Sequence, residues 1–386
     1  MSADALDAFR GEFPRSTLTA RRVAAVLEAP GCDRRAVLEA ANVDIDKLAR
    51  LITDRPGDRQ SPFALTRGNS FEAQVTANGM AAIVGLVRQH LGLAIADVRQ
   101  VDLSAGEVKQ MFPGLGGAAL NERRVLLTSR YLREMTADPD NAPNLIRHAM
   151  TKLNFGGETA YLEQDVLAFA IAGRIHVVEI KSFPRIDGRA DPDKASAAIR
   201  QSAVYVLSLK EAVRDLGEDP ALVDDRILVI LPENLSFTPT ALVFDSTMQV
   251  RRLRRRLASM PNAADVLTFL PPGISLPALP PKADIELRRH ARVAAADAVS
   301  RIPNRLTEAC TSCPLFRNCR DEADRHLSVS RLGSQASATL GGVTDIREAL
   351  RLASGERTPA SVAEVAVATA LQRAAAARRY SFGALP

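Results

Sequence analysis

The sequence has no tryptophan and few other aromatic residues, with 13 Phe and 4 Tyr among its 386 residues. A hydrophobic core must therefore be built mainly on Leu, Val, Ile and Ala. Hydrophobic residues still make up 46% of the chain and charged residues 25%, which is typical of a globular protein. These proportions exclude disorder over the whole chain and collagen-like repeats.

Long apolar runs are also missing. No stretch of about 18 apolar residues is free of charge and proline, so we predict no transmembrane helix and no membrane partner. The first ten residues carry Asp4 and Asp7 and no apolar segment, which is unlike a secretory signal. We therefore expect a cytoplasmic protein.

Neither sign of charge dominates, since 50 basic and 45 acidic residues give a net charge of only +5. This excess is compatible with nucleic-acid binding but does not argue for it. The strongest basic cluster supplies four candidates for contacts with a DNA backbone: Arg251, Arg252, Arg254 and Arg255. A solvated helix face is the more common reason for such a run, so both interpretations stay open.

Only four cysteines are present, and their spacing is uneven. Cys310, Cys313 and Cys319 lie within ten residues, whereas Cys32 stands alone. In a cytosolic chain this pattern favours metal binding over disulfides. Four thiolates suit either zinc or an iron–sulfur cluster.

The chain changes character near residue 160. Residues 1–60 are typical of short helices, whereas the apolar runs beginning at Asp165 and at Ile175 flank a turn signal at Gly173 and predict a β-hairpin. A helical pattern over 195–216 and two further apolar runs, 226–231 and 241–244, follow. This order predicts an α/β core with helices on the faces of the sheet.

One strand of the hairpin carries the residues with the clearest chemistry. Glu179 and Lys181 project to the same side of a strand, and Glu179 stands in a β-branched run where a carboxylate must be paired or bound to a metal. The hairpin can bring Asp165 beside Glu179. Two carboxylates and a lysine are the minimal apparatus for metal-assisted phosphodiester hydrolysis. An ordinary surface ion pair is the alternative, because so short a pattern occurs by chance.

Two further motifs support the catalytic interpretation. Gln201 and Tyr205 are four residues apart, so a helix places both side chains on one face, toward the hairpin. Gly68 and Glu72 begin an earlier helical pattern and offer a third carboxylate.

With these motifs in this order, residues 16–322 resemble the RecB-like branch of the PD-(D/E)XK nuclease superfamily. The iron–sulfur members, namely the AddB nuclease domain and the CRISPR-associated RecB-like exonucleases, are the most similar. The resemblance implies a restriction-endonuclease-like core, a mixed central sheet flanked by helices, with helical N- and C-terminal extensions joined by a metal-cluster staple. We predict four segments: a helical N-terminal segment (1–60), the nuclease core with a helical insertion near 95–150 (61–245), a helical segment with the cysteine cluster (246–325) and a basic helical tail (326–386).

The resemblance also implies roles for the residues. Asp165, Glu179 and the Ile180 carbonyl bind Mg²⁺ or Mn²⁺, and Glu72 completes the site directly or through water. Lys181 orients the attacking water, and Gln201 and Tyr205 position Lys181 or the DNA; Glu163 is the alternative to Asp165. The four cysteines hold a 4Fe–4S cluster, with Zn²⁺ as the alternative.

The predicted function is a metal-dependent deoxyribonuclease acting on single-stranded DNA or DNA ends, in DNA repair, recombination or phage defence. One alternative is a catalytically silent or partner-dependent DNA-binding subunit, and another is a zinc-stapled regulatory protein. No GxxxxGK[ST] motif is present, so the chain is not itself a helicase. A separately encoded helicase or defence protein is the expected partner besides DNA.

Overall fold

The computed structural model describes residues 2–27, 32–53, 62–92, 97–155, 158–170, 174–234, 236–259, 263–306, 310 and 313–382. The predicted turn at Gly173 lies outside these residues. The helices are α1 (Ser2–Arg10), α2 (Ala20–Leu27), α3 (Asp33–Ala40), α4 (Ile45–Thr53), α5 (Pro62–Leu91), α6 (Ala105–Met111), α7 (Gly117–Ala137), α8 (Pro192–Asp215), α9 (Thr247–Ala258), α10 (Ala263–Leu267), α11 (Ile285–Ser300), α12 (Phe316–His326), α13 (Ser334–Thr339), α14 (Ile346–Ser354) and α15 (Val362–Phe382). The strands are β1 (Gln100–Asp102), β2 (Leu145–Phe155), β3 (Glu158–Ala170), β4 (Arg174–Ile180), β5 (Arg185–Ile186), β6 (Arg189–Ala190), β7 (Val223–Pro232) and β8 (Pro239–Asp245).

The chain divides into two compact units. The sheet unit comprises Leu18–Glu28 and Asp58–Met260, and the helical unit comprises Met1–Thr17, Ala29–Gly57 and Pro261–Pro386. No helix in the described part of the chain is long and apolar enough to cross a membrane.

A mixed sheet of six described strands, in the order β1-β2-β3-β4-β7-β8, forms the centre of the sheet unit. The β1–β2 and β4–β7 pairs are parallel, and the other neighbours are antiparallel. One face packs on α5, and the other packs on a layer that includes α2, α7, α8 and α9. The predicted mixed α/β architecture with flanking helices is therefore confirmed.

Helix α8 is well specified by its sequence. The Asp191 side chain accepts hydrogen bonds from the backbone N–H groups of Asp193 and Lys194, and Pro192 occupies the first turn, where a missing N–H costs nothing. Buried residues, among them Ala198, Tyr205 and Leu209, then recur on the face toward the sheet. The capping residue Asp191 and the helical spacing of the buried residues thus determine where α8, which packs against the sheet, begins and which face it buries.

The segment 95–150, predicted as a helical insertion, is only partly helical. It contains α6 and α7 but also β1 and the first part of β2, which belong to the central sheet. The strand was hard to predict because Arg147, His148 and Lys152 interrupt the alternation of apolar and polar residues in β2.

The helical unit has two hydrophobic cores among its described residues. The larger one is formed by α1, α3 and α4 together with α10, α11 and α12. The smaller one is formed by α14 and α15 together with Val329, Leu340 and Val343, which lie before and after α13. The N-terminal helices thus pack on helices that follow residue 260, although more than 200 residues separate them in the sequence.

A buried arginine joins these distant segments. Arg34 of α3 is 1% exposed and forms hydrogen bonds from Nη1 and Nη2 to the two carboxylate oxygens of Glu322 in α12, at 2.7 and 3.0 Å. Its Nε and Nη2 also donate to the Ile302 carbonyl, at 3.0 and 2.9 Å. Paired in this way, a guanidinium can be buried without leaving donors unsatisfied.

We predict that Arg34→Met destabilises the chain by about 3–5 kcal/mol, because it leaves the Glu322 carboxylate buried with only part of its pairing. Chemical denaturation followed by circular dichroism measures the loss. The matched control is Arg320→Met on the exposed side of α12, which should change stability by less than about 0.5 kcal/mol. Equal effects of the two substitutions would contradict the role of Arg34.

Candidate functional site

Two carboxylates meet where β3 and β4 run side by side. The Val166–Val178 pair is part of the β-ladder, so Asp165 and Glu179 come next in register. Glu179 is only 1% exposed. Asp165 Oδ2 accepts the backbone N–H of Ile180 at 2.8 Å. The hairpin therefore places the two carboxylates beside each other.

Three polar side chains surround Glu179. Lys181 Nζ donates to Glu179 Oε1 and, at 3.2 Å, to Gln201 Oε1. Gln201 Nε2 in turn donates to Glu179 Oε1 at 3.2 Å and to the Tyr205 hydroxyl at 3.0 Å. The structure thus brings together Glu179, Lys181, Gln201 and Tyr205, and α8 supplies the last two from one face.

The pKa shifts of Asp165 and Glu179 result from burial and from repulsion by neighbouring carboxylates. Burial raises the pKa of Glu179 to about 8, Asp165 adds to the rise, and Lys181 opposes it. Burial also raises the pKa of Asp165. Burial lowers the pKa of Lys181, but Glu179 and Asp165 outweigh it and the net shift is upward. The lysine therefore stays cationic beside carboxylates that are costly to ionise.

At this point the alternation of side chains along β2 and along β3 is interrupted, so that residues of the opposite parity point to a given face of the sheet. Regular alternation puts residues two apart on one face. On β3, Gln164 reaches toward α8 through Thr151 and Ser208, yet Leu167, three residues later, also belongs to the core on that side. On β2, Ile146 and Ala149 are both in that core, although they too are three apart.

The interruption occurs at Asp165 on β3 and at His148 on β2. These two residues lie opposite each other, between the paired residues Arg147–Val166 and Ala149–Gln164. His148 has a left-handed backbone conformation, with φ of 51°. Groups from both faces of the sheet can therefore approach Asp165. Glu72 of α5 is close enough to influence the pKa of both Asp165 and Glu179.

His148 was not predicted from the sequence. Its Nδ1 lies 2.9 Å from Asp102 Oδ1, and its Nε2 lies 3.7 Å from Glu72 Oε1, an ion-pair distance rather than a hydrogen bond. Glu72 raises the pKa of His148 against the effect of burial, and Asp102 adds to the rise. His148 in turn lowers the pKa of Glu72. A carboxylate–histidine–carboxylate chain thus borders the site.

Glu163, the alternative to Asp165, has a different partner. Its carboxylate lies 2.8 Å from Arg124 Nη2 of α7. Arg124 is 2% exposed and also donates to the backbone carbonyls of Leu103 and His148, at 2.6 and 3.0 Å. Asp102 and Arg124 were missed together with His148, because no local spacing connects these three positions in the sequence.

The donors of the site are suited in part to a divalent cation. Glu179 Oε2 is buried and has no hydrogen-bond partner among the described residues, and a hard cation would satisfy it and offset its repulsion by Asp165. Across the described residues, however, no three His, Cys, Asp or Glu side chains are arranged to hold a metal ion.

The cysteines all belong to the helical unit. Cys32 precedes α3, and the Cys313 N–H donates to the Cys310 carbonyl at 3.0 Å. Cys319 lies in α12, where its Sγ accepts a hydrogen bond from Arg34 Nη1 at 3.3 Å. Burial raises the pKa of Cys313 to about 11. These contacts do not show the predicted metal-cluster staple.

The arginine cluster lies on α9. Val250 and Leu253 face the core, whereas Arg251, Arg252, Arg254 and Arg255 are exposed. Arg254 approaches Glu211 at 3.9 Å. This arrangement is compatible with both interpretations of the cluster.

No family model matches the chain, and no curated protein matches its sequence. Among solved structures it is similar to a candidate exonuclease from Eubacterium rectale, with 11% identity, a TM-score of 0.28, and coverage of 75% of this chain and 90% of that chain. The protein SSO0001 is similar over 45% of this chain and 82% of its own, with 11% identity and a TM-score of 0.15. Both TM-scores are too low to indicate a function.

We predict that Glu179→Gln stabilises the chain at high pH. Between its usual pKa of about 4.5 and the folded value of about 8, the folded chain keeps a proton that the unfolded chain has lost, so ionisation makes folding less favourable as pH rises. Glutamine cannot ionise. The unfolding temperature should exceed that of the unmodified chain at pH 8, and the difference should vanish near pH 4.

The control is Glu107→Gln, which changes an exposed carboxylate of α6 and should leave the unfolding temperature unchanged at both pH values. Equal unfolding temperatures for Glu179→Gln and the unmodified chain at pH 8 would refute the raised pKa.

Proposed function

We propose that the chain is a metal-dependent deoxyribonuclease that hydrolyses phosphodiester bonds, with single-stranded DNA or DNA ends as substrate. The observation that carries the proposal is Glu179: a buried carboxylate with one oxygen that no described residue hydrogen-bonds, next to Asp165 and bound by Lys181. A purely structural role would leave this carboxylate neither fully paired nor exposed to solvent, which is costly.

In this proposal Asp165, Glu179 and the Ile180 carbonyl hold Mg²⁺ or Mn²⁺, and Glu72 completes the ligand set. When bound, the ion would neutralise phosphate charge and lower the pKa of a coordinated water. Lys181 lies beside the carboxylates and is the group that can orient the attacking water and stabilise charge on the phosphate. Gln201 holds Lys181 and Glu179 in place through its two amide atoms, and Tyr205 supports Gln201.

DNA is the proposed partner, and a separately encoded helicase or defence protein is proposed as a second partner. The exposed arginines of α9 supply positive charge for backbone contacts that would be independent of sequence. The resemblance to RecB-like nucleases supports DNA repair, recombination or phage defence as the setting. A catalytically silent DNA-binding subunit is the alternative, and the intact set of Asp165, Glu179 and Lys181 argues against it.

A 4Fe–4S cluster on Cys32, Cys310, Cys313 and Cys319 is proposed as a second, structural cofactor, with Zn²⁺ as the alternative. The soft thiolates fit either metal. Thiols whose pKa is raised by burial, such as Cys313, would have to lose their protons on binding, so binding would be coupled to folding.

Asp165→Asn, Glu179→Gln and Lys181→Met should each lower the rate of DNA cleavage by about 100-fold or more, since each removes a metal ligand or the charge beside the phosphate. Labelled single- and double-stranded DNA with Mg²⁺ or Mn²⁺ measures the rate, and EDTA should abolish it. The matched control is Glu163→Gln, because Glu163 pairs with Arg124 and should be dispensable for metal binding.

Full activity in the Glu179→Gln chain would refute the site. DNA binding without cleavage in the unmodified chain, under every metal condition, would favour the silent subunit. Loss of activity in Glu163→Gln but not in Asp165→Asn would exchange the roles of the two carboxylates.

Cys32→Ala is expected to lose most of the iron bound by anaerobically purified protein, although Cys32 is distant in sequence from the other three cysteines. Quantification of iron and acid-labile sulfide, with the absorption near 400 nm, measures the loss. Asp33→Asn is the control, because it changes the neighbouring residue and leaves the thiol in place. Unchanged iron in Cys32→Ala would remove Cys32 from the ligand set, and stoichiometric zinc without iron would favour the alternative.

A further inference from the structure

His148 has an unusual combination of contacts and backbone conformation. It lies opposite Asp165 in the sheet, its ring bridges carboxylates from two different elements, and none of the predicted motifs includes it. We propose that His148 is a positioning residue that holds the carboxylate of Glu72 beside Asp165 and so sets how tightly a divalent cation binds. This inference deepens the proposed function and rests on it.

The imidazole of His148 is itself held in place. His148 Nδ1 lies 2.9 Å from Asp102 Oδ1. The same oxygen accepts the backbone N–H of Ser104 at 2.8 Å, and Asp102 Oδ2 lies 3.2 Å from Arg147 Nη1. Asp102 is thus fixed at both oxygens. A carboxylate on one ring nitrogen orients the imidazole and fixes which atom the other nitrogen faces.

The backbone of His148 is constrained as well. Its φ of 51° is unfavourable for a residue with a Cβ, and such conformations persist where the surroundings determine them. Arg124 supplies this constraint from α7, since it donates to the His148 carbonyl at 3.0 Å and to the Leu103 carbonyl at 2.6 Å. The left-handed turn re-aims the side chain at the point where the strand changes faces.

The other ring nitrogen of His148 faces the carboxylate of Glu72. His148 Nε2 lies 3.7 Å from Glu72 Oε1. The Glu72 side chain is 42% exposed, so without a partner it would sample many rotamers, and ordering it would oppose ion binding. His148 supplies the partner. Because β2 carries the ring and α5 carries the carboxylate, this contact connects the helix to the strand opposite Asp165.

Two substitutions separate the two ends of the ring. Asparagine tolerates a left-handed φ, and its amide lies near the position of the His148 Nδ1 atom. His148→Asn can therefore keep the contact with Asp102 but cannot make the contact with Glu72. Glutamine is longer and places its amide nearer the position of Nε2. We expect His148→Asn to weaken Mn²⁺ binding about tenfold, and His148→Gln to weaken it clearly less. Electron paramagnetic resonance of Mn²⁺ with the full chain, without DNA, measures the affinity directly.

A double-mutant cycle tests whether His148 acts through Glu72. In a Glu72→Gln background, His148→Asn should cause little further loss of Mn²⁺ affinity, because the carboxylate that it positions is gone. Equal losses in the two backgrounds would overturn the inference, as would unchanged affinity in His148→Asn. If His148→Asn does not fold, as judged by circular dichroism, Asp102→Asn releases the same ring and enters the same cycle.

The outcomes distinguish this inference from the proposed function. A chain that neither binds Mn²⁺ nor cleaves DNA would overturn the proposed function, and with it the role of His148. A chain that binds Mn²⁺ and cleaves DNA, but in which His148 and Glu72 act independently, would overturn only the role of His148.

Discussion

The burial of one carboxylate, that of Glu179, constrains the rest of the candidate site. A charged group in the middle of a sheet loses its hydration, and the penalty amounts to several kcal/mol unless neighbours compensate. Here compensation is partial: Lys181 and Gln201 bind one oxygen, and the other is left without a partner among the described residues. Asp165 adds repulsion instead of relief. The ionised form of Glu179 is therefore only partly stabilised by its neighbours, and a bound cation would stabilise it further.

The second constraint is geometric, and it concerns the faces of the sheet. A regular sheet separates residues that face α5 from those that face α8, so Glu72 and Gln201 would be expected to serve different surfaces. The exchange of faces at Asp165 and His148 removes that separation locally. Arg124, buried between α7 and the β2 backbone, stabilises the unusual conformation that this exchange requires. Functional sites commonly contain such strained backbone.

In the helical unit, a buried arginine connects the same segments that the predicted metal-cluster staple would join. Arg34 ties α3 to α12 and to the Ile302 carbonyl, and the surrounding core joins the N-terminal helices to α11. The same guanidinium also donates to Cys319. A cluster bound by the cysteines would therefore reinforce an existing contact between these segments.

Features that depend on local periodicity could be predicted from the amino-acid sequence. Alternation along a strand puts Glu179 and Lys181 on one side, the spacing of four puts Gln201 and Tyr205 on one face of α8, and buried β-branched runs predict β4 and β7. Such patterns report short-range geometry, which the backbone fixes within a few residues. They were sufficient for an α/β core with helices on the faces of the sheet and for grouping the residues around Glu179, whereas the mixed sheet was expected from the resemblance to RecB-like nucleases.

Other features of the site have no local period and depend on contacts between distant segments. Polar residues hid β2, whose first part lies within 95–150, and the contact of His148 with Asp102 spans 46 positions. The left-handed backbone at His148 is not encoded by a glycine; Arg124, two elements away from Asp165, helps to hold it. These features arise from packing between distant segments, and a pattern read along the chain carries no information about which distant segments will meet.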